Sequence, residues 1–242
     1  MSINIKNIGK ESLKGKRVTL APASLQYADF LAKTYQLDEF MDCYRMAQDR
    51  NVTAEQIRER LENEKDFTAQ QLKRIEWIIL DDEALPIGIA SLADYQPAHN
   101  RAELLIGINQ PEDRKGSLGV EATLLVMEFA FHKAQLHKLI SFVYSFNEIA
   151  QKNTLHLGFE QEAHLRDHYF NHREKKYIDL YQNGLLSEDF YANKSLARWS
   201  KRLLSRNITV KSSQPKMRSL SKNELDKGLK TILSNAKAQK TI

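Results

Sequence analysis

The stretch RKGSLGVEA, Arg114 to Ala122, sets two glycines and a serine directly before an apolar helical pattern. Small residues at the start of a helix let a ligand approach the backbone, and the first N–H groups point outward with the positive end of the helix dipole. That combination suits an anion, phosphate above all. The P-loop pattern fails because Gly-Lys-Ser/Thr is absent. The dinucleotide pattern Gly-x-Gly-x-x-Gly fails too, since only Gly116 and Gly119 are on offer. A second cluster, His164, His168 and His172, repeats every four residues, as metal ligands on one helix face do. The surrounding HLRDHYFNHREKKYIDLY reads instead as strand, turn and strand, which scatters the three imidazoles, so no metal is expected. Cys43, a single cysteine, cannot form an internal disulfide and reads as a small packed residue rather than a nucleophile.

The glycine stretch needs a strand before it and a sheet beneath it. Arg17 to Ala21 alternates polar and apolar residues as a first strand, stopped by Pro22. Ser24 to Leu37 and Thr53 to Asn63 carry helical patterns, the second opened by a Thr-x-x-Gln capping box, Thr53 to Gln56. IEWIIL, IGIASLADY and RAELLIGI read as three antiparallel strands. Leu118 to Gln135 is then an apolar helix, Lys138 to Tyr144 a strand, Asn147 to Leu157 a helix stopped by Gly158, and Phe159 to Tyr181 a closing pair of strands that turns near residues 171–174. RAELLIGI, the apolar helix and KLISFVY thus form a βαβ unit with the glycines at its first turn.

Of 242 residues, 42% are hydrophobic and 28% charged, which excludes collagen-like and wholly disordered classes. The opening MSINIKNIGKES lacks the apolar core of a secretory signal, and the most apolar run, LLVMEFAF, is broken by Glu128. A cytoplasmic protein without a membrane span is expected. The net charge of +5 divides unevenly: from Lys194 onward thirteen Lys/Arg face two acids, which leaves −6 on the rest. The expected organisation is a domain over residues 1–193 and a basic extension over 194–242, partly helical or flexible, with a second capping box at Ser221 to Glu224.

Arg114-Lys115-Gly116-Ser117-Leu118-Gly119 resembles the Gln/Arg-x-x-Gly-x-Gly/Ala pyrophosphate signature of the GNAT acyltransferase superfamily, with Ser117 where the family has its first glycine. GKRVTLAPAS looks like the family's first strand. Asn147-Glu148-Ile149-Ala150 followed by Gly158-Phe159 looks like its Asn-x-x-Ala and Gly-Phe helix. The resemblance covers about residues 14 to 185 and implies an α/β (α+β) fold, a mixed central sheet of about seven strands with flanking helices. It implies acetyl-CoA as co-substrate, with its pyrophosphate on the amides of Lys115, Gly116, Ser117, Leu118 and Gly119 beside Arg114. Pantetheine would then run along Gly107, Ile108 and Asn109.

In the family an amine attacks the thioester directly, and an alkyl amine with a pKa of about 10 must first lose a proton. By resemblance Glu103 is the catalytic carboxylate; whether it faces the cleft depends on strand register. The tyrosine that many relatives use to protonate the thiolate is replaced by Thr154, so the thiolate leaves unaided or meets water. Asn147 holds cofactor, caps its helix, or does both. His164, Asp167, His168 and Tyr169 fall on the hairpin that borders the acceptor site in the family.

LKGKRVTLAPAS with TAEQIRERL looks like the ribosomal-protein N-terminal acetyltransferase branch. LLIGINQP, EFAFHKAQLHKL and the long final hairpin look like acetyltransferases of nucleotide-linked amino sugars in surface-polysaccharide synthesis, and the amino sugar is slightly favoured. The alternative of another class is a non-catalytic acyl-CoA-binding module acting through its basic tail. That tail has three expected partners: its own acidic domain, an acidic protein or nucleic acid, or an anionic membrane surface. A homodimer is also compatible with the sequence.

Overall fold

The computed structural model describes residues 8–110 and 117–211. It opens with β1 (Leu13–Lys14), β2 (Thr19–Pro22), a 3-10 turn at Leu25–Tyr27, α1 (Ala28–Tyr35), α2 (Asp38–Tyr44) and α3 (Ala54–Glu64). There follow β3 (Ile75–Leu80), β4 (Pro86–Gln96), β5 (Arg101–Ile108), α4 (Leu118–Glu128), β6 (Lys138–Tyr144), α5 (Glu148–His156), β7 (Glu160–Asn171) and β8 (Lys176–Leu186). α6 (Ser187–Ala192) and α7 (Lys194–Leu204) close the described chain. The eight strands form one mixed sheet in the order β1-β2-β3-β4-β5-β6-β8-β7, in which β5 and β6 run parallel and the other neighbours antiparallel. The strand beyond the expected seven is β1, whose two residues are too few to show a period.

Helices cover both faces. α4 lies on one, with Leu124, Leu125, Val126 and Met127 in a core shared with Leu20, Trp77, Ala90 and Leu104. α1, α2 and α3 lie on the other, where Leu31, Tyr35, Phe40 and Ile57 pack on Ile78, Ile89 and Leu105. α3 starts at the expected capping box, in which Thr53 Oγ1 accepts from the Gln56 amide at 3.2 Å and Gln56 Oε1 accepts from the Thr53 amide at 2.8 Å. The helix expected over Leu118 to Gln135 instead widens after Glu128 into a π turn at Phe129–Lys133, which a 3.6-residue period does not distinguish from helix. Gly158 ends α5 at φ +94°, a conformation costly for any residue with a Cβ.

The expected break at Asn193 differs from what is observed, because the compact unit extends to Lys211. Asn193 caps α7 by accepting from the Leu196 amide at 2.9 Å, and Leu196, Leu203, Leu204 and Ile208 are buried in the core around α4. Arg206 pairs with Glu128 at 2.6 Å, and the Ile208 carbonyl lies 2.6 Å from His132 Nε2. The charge count marked this segment as separate because Lys194, Arg198, Lys201 and Arg202 are all exposed, while its apolar stripe turns inward. The capping box at Ser221 lies outside the described residues, as do Arg114, Lys115 and Gly116. No described helix is long and apolar enough to cross a membrane.

Candidate active site

β5 and β6 pair over only three positions, Arg101 with Lys138, Ala102 with Leu139 and Glu103 with Ile140. Beyond them β5 stays bound to β4 as far as Ile108, and β6 to β8 as far as Tyr144, so the two strands follow different partners and part. A cavity of about 580 Å³ opens in the fork. Its walls are Leu104 to Ile108 of β5, Ser141 to Val143 of β6, Gly119, Val120 and Thr123 of α4, and Asn147, Ala150 and Thr154 at α5. Over Leu104 to Gly107 the β5 edge that faces β6 has no strand partner among the described residues.

Alternation along β5 sends Ala102, Leu104 and Ile108 toward α4, and Glu103, Leu105 and Gly107 toward α1 and α2. This settles the register of Glu103, which lies on the α2 side at the last paired position before the fork and is 7% exposed. Arg45, just after α2, places Nη2 3.4 Å from Glu103 Oε2. Burial pushes the Glu103 carboxyl above the usual carboxylate range, Arg45 pulls it down, Asp94 pushes it up again and Arg74 opposes. Another buried carboxylate on this side, Glu76, is held low: burial works against its charge, but Arg74, Arg60 and the Tyr35 hydroxyl hold it ionised. A group so fully bound is a poor proton acceptor. Glu103 keeps one oxygen less encumbered.

α2 explains Gly107. A Cβ there would collide with the Phe40 ring and meet Tyr44 Cδ2 at 2.8 Å, so the glycine lets α2 rest directly on β5 beside the cavity. The Tyr44 hydroxyl, in turn, is 2.8 Å from Ser91 Oγ. Tyr144, at the end of β6, accepts from the Met46 amide at 2.8 Å and meets the Tyr169 ring edge-on at 5.6 Å. At the tip of the final hairpin, Arg173 bonds Asp42 of α2, which Arg50 also grips at 2.7 Å.

The structure gathers some expected residues and separates others. Gly107, Ile108, Gly119 and Asn147 line the fork cavity. Ser117 stands at the head of α4 and Leu118 is packed in the core. Asn109 donates from Nδ2 to Thr34 Oγ1 at 2.8 Å, which ties the end of β5 to α1. Asn147 caps α5 by accepting from the Ala150 amide at 3.2 Å while it lines the cavity, so both of its expected roles are sterically compatible. Of the hairpin residues, Tyr169 packs toward Tyr144. His164 and Asp167 instead converge on Asp179, His164 Nε2 at 2.7 Å from Oδ2 and the Asp167 amide at 2.8 Å from Oδ1, around a bulge between Leu165 and Tyr169. His164 pairs across from Tyr181 on the sheet face opposite Leu165, and His168 is exposed. No group of His, Cys, Asp and Glu able to hold a metal occurs among the described residues. Arg45 and Tyr144 had no sequence signal: one lies in a loop, and the other reads as an ordinary strand residue.

A forked mixed sheet, with a helix beginning at the mouth of the fork and a buried carboxylate at its apex, defines an acyltransferase architecture. The family model of the acetyltransferase (GNAT) domain matches residues 17–160, and the chain belongs to that family. Its matched segment is thus an acetyltransferase domain of the GNAT type. Spermidine N-acetyltransferase from Vibrio cholerae in complex with CoA and spermine is 20% identical, with a TM-score of 0.64 over 73% of this chain and 99% of that one. A chimera of the Vibrio cholerae enzyme with hSSAT is 19% identical, with a TM-score of 0.62 over 72% and 98%. A structure from T. thermophilus assigned to the acetyltransferases is 22% identical, with a TM-score of 0.60 over 79% and 96%. At these identities the likeness is one of fold. No curated protein sequence matches the chain.

The residues present fit acetyl-CoA. A Cβ built on Gly119 meets nothing nearer than Ile108 Cγ1 at 3.8 Å, so the first turn of α4 is open toward the cavity, where helix amides seek an anion. The unpaired edge of β5 offers main-chain groups to the amides of a pantetheine arm.

Proposed function

We propose that Glu103 accepts the proton of a primary amine bound on the α2 side of the fork, while the opening turn of α4 and the edge of β5 hold acetyl-CoA. When bound, acetyl-CoA supplies an acetyl carbon activated as a thioester; a C–N bond forms there as the C–S bond breaks. The observation that carries this reading is the position of Glu103: buried, paired to Arg45, and the last residue before the strands part. Its raised carboxyl is better matched to taking a proton than an ordinary surface carboxylate is. Thr154 lines the cavity where many relatives carry tyrosine, and a thiol with a pKa of about 8.5 leaves without help from that side chain.

For the acceptor, a nucleotide-linked amino sugar is the first reading. Asp42, Glu76 and Glu103 on the α2 side are each already met by arginine, which leaves a polycation little uncompensated charge to bind. The polyamine reading is favoured instead by the spermine complex of the Vibrio cholerae fold relative. Calorimetry with acetyl-CoA on wild type and Gly119→Trp, followed by rate measurements with nucleotide-linked amino sugars, spermine and a ribosomal-protein N-terminal peptide, tests both levels. Absence of acetyl-CoA binding ends the mechanism, and preference for spermine or the peptide ends the sugar reading.

A further inference from the structure

We propose that the outer face of α7, together with the loop between β1 and β2, is a binding surface for single-stranded nucleic acid, separate from the fork.

Lys194, Arg198, Lys201 and Arg202 stand at i, i+4, i+7 and i+8 of α7 and all four are exposed, so they form one stripe about 12 Å long. Among the described residues no acidic side chain pairs with any of them. Packing brings a second set of cations beside the stripe. Lys16 Nζ donates to the Arg202 carbonyl at 2.8 Å, which sets the exposed Lys14, Lys16 and Arg17 against the end of α7. Two acids of α4 on this side are already engaged. Glu128 holds Arg206 at 2.6 Å, and the buried Glu121 carboxylate accepts the Arg17 amide at 2.8 Å. The patch therefore calls for an extended anion from outside the chain.

Trp199 narrows the kind of anion. It is 39% exposed, whereas Trp77, the other tryptophan, is fully buried. The Arg202 guanidinium lies 5.5 Å from the Trp199 ring centroid, which steadies the indole within the cationic stripe. Phosphates on the cations and a base on the exposed ring are the contacts by which single strands are held. An anionic membrane fits less well. A helix lying on a bilayer buries its apolar face there, and Leu196, Leu203 and Leu204 of α7 are already packed in the core. An acidic peptide would meet the charges, but its carboxylates present no flat ring to the indole.

The surface is turned away from the fork. Gly119, Val120 and Thr123 line the cavity, whereas Glu121, in the same turn of α4, reaches the amides of Lys16 and Arg17. The patch and the cavity thus lie on different sides of α4.

Fluorescence anisotropy of labelled oligouridylate and oligothymidylate, each of about twenty nucleotides, titrated with the full chain, tests the proposal. The Kd for wild type should rise about a hundredfold between about 50 and 200 mM salt, as about five phosphate contacts on a single strand require. The tighter of the two strands tells RNA from DNA. Arg198→Gln with Lys201→Gln should make the slope of log K against log salt shallower by about 1.4, the share of two contacts. Trp199→Leu should weaken binding about fivefold or more, and the strand should quench the wild-type indole emission. Melting temperature and acetyl-CoA affinity should stay at wild-type values in the double variant. If Trp199→Leu melts below wild type, the quenching decides in its place. No binding overturns the proposal, as does tighter binding to duplex DNA, to phosphatidylglycerol vesicles or to polyglutamate. Unchanged affinity in either variant, or unquenched emission, overturns it too.

Discussion

Arg45 holds its guanidinium 3.4 Å from the carboxylate of Glu103, and these two groups come from a loop and a strand 58 positions apart in the chain. The pair is one-sided: Arg45 is partly exposed at 29%, whereas the Glu103 side chain is at 9%. Glu103 thus depends on Arg45 for its charge more than Arg45 depends on it.

Glu103→Gln keeps the shape and removes the proton acceptor. The kcat for amine acetylation should fall by about 10²–10⁴, the usual range for a lost general base. The calorimetric Kd for acetyl-CoA should change little, since the helix turn and strand edge are untouched. Parallel loss of both would contradict the assignment.

The pH dependence has a definite sign. Glu103 works as a base only when ionised, and burial raises its pKa, so kcat/KM should fall toward acid at a pH above the ordinary glutamate value of about 4.3. Arg45→Gln removes a charge that lowers this pKa, while Asp94, which raises it, remains. The acid limb of the profile should move to higher pH, and a move to lower pH would refute the coupling.

Gly107→Ala places a methyl group against Phe40 and Tyr44. Overpacking of this kind costs about 1–3 kcal/mol. Thermal melting should show a drop of a few degrees, accompanied by reduced turnover as α2 is lifted off β5 with Arg45 at its end. An unchanged melting temperature would mean that α2 is seated by other contacts.

Truncation after Asn193 should cost the fold rather than merely remove a tail. Leu196, Leu203, Leu204 and Ile208 leave the core together, and each buried side chain of this size contributes about 1.5–3 kcal/mol. Circular dichroism should show loss of a cooperative melt, and Leu196→Ala alone should lower the midpoint. A truncated chain that melts like the full one would show that α7 packs without stabilising.

The fold was legible in sequence where a period could run its length. β6 is observed at the bounds that alternation gives, and the capping box at Thr53 and the stop at Gly158 are local chemistry that needs no partner. α2 was not legible, because its seven residues span two turns and its seat depends on the absence of a Cβ at Gly107. Glu103 could be chosen by type and strand, but its side of the sheet was fixed only by pairing with Ala93 and Ile140. The grouping of His164 with Asp179 arises from a bulge, which shifts register without a sequence period to announce it.

The fork has a mechanical consequence. Among the described residues, three residue pairs between strands join the β1 to β5 part of the sheet to the part made of β6, β8 and β7. The sheet therefore divides into two strand groups paired along a short seam over one shared core, and a linear guest lying between Leu104–Gly107 and Ser141–Val143 would extend that seam. Amide hydrogen exchange along the open stretch of β5 should slow when acetyl-CoA is added and quicken again as product departs. In each round of turnover the protein would close a gap in its own hydrogen-bond ladder and open it again.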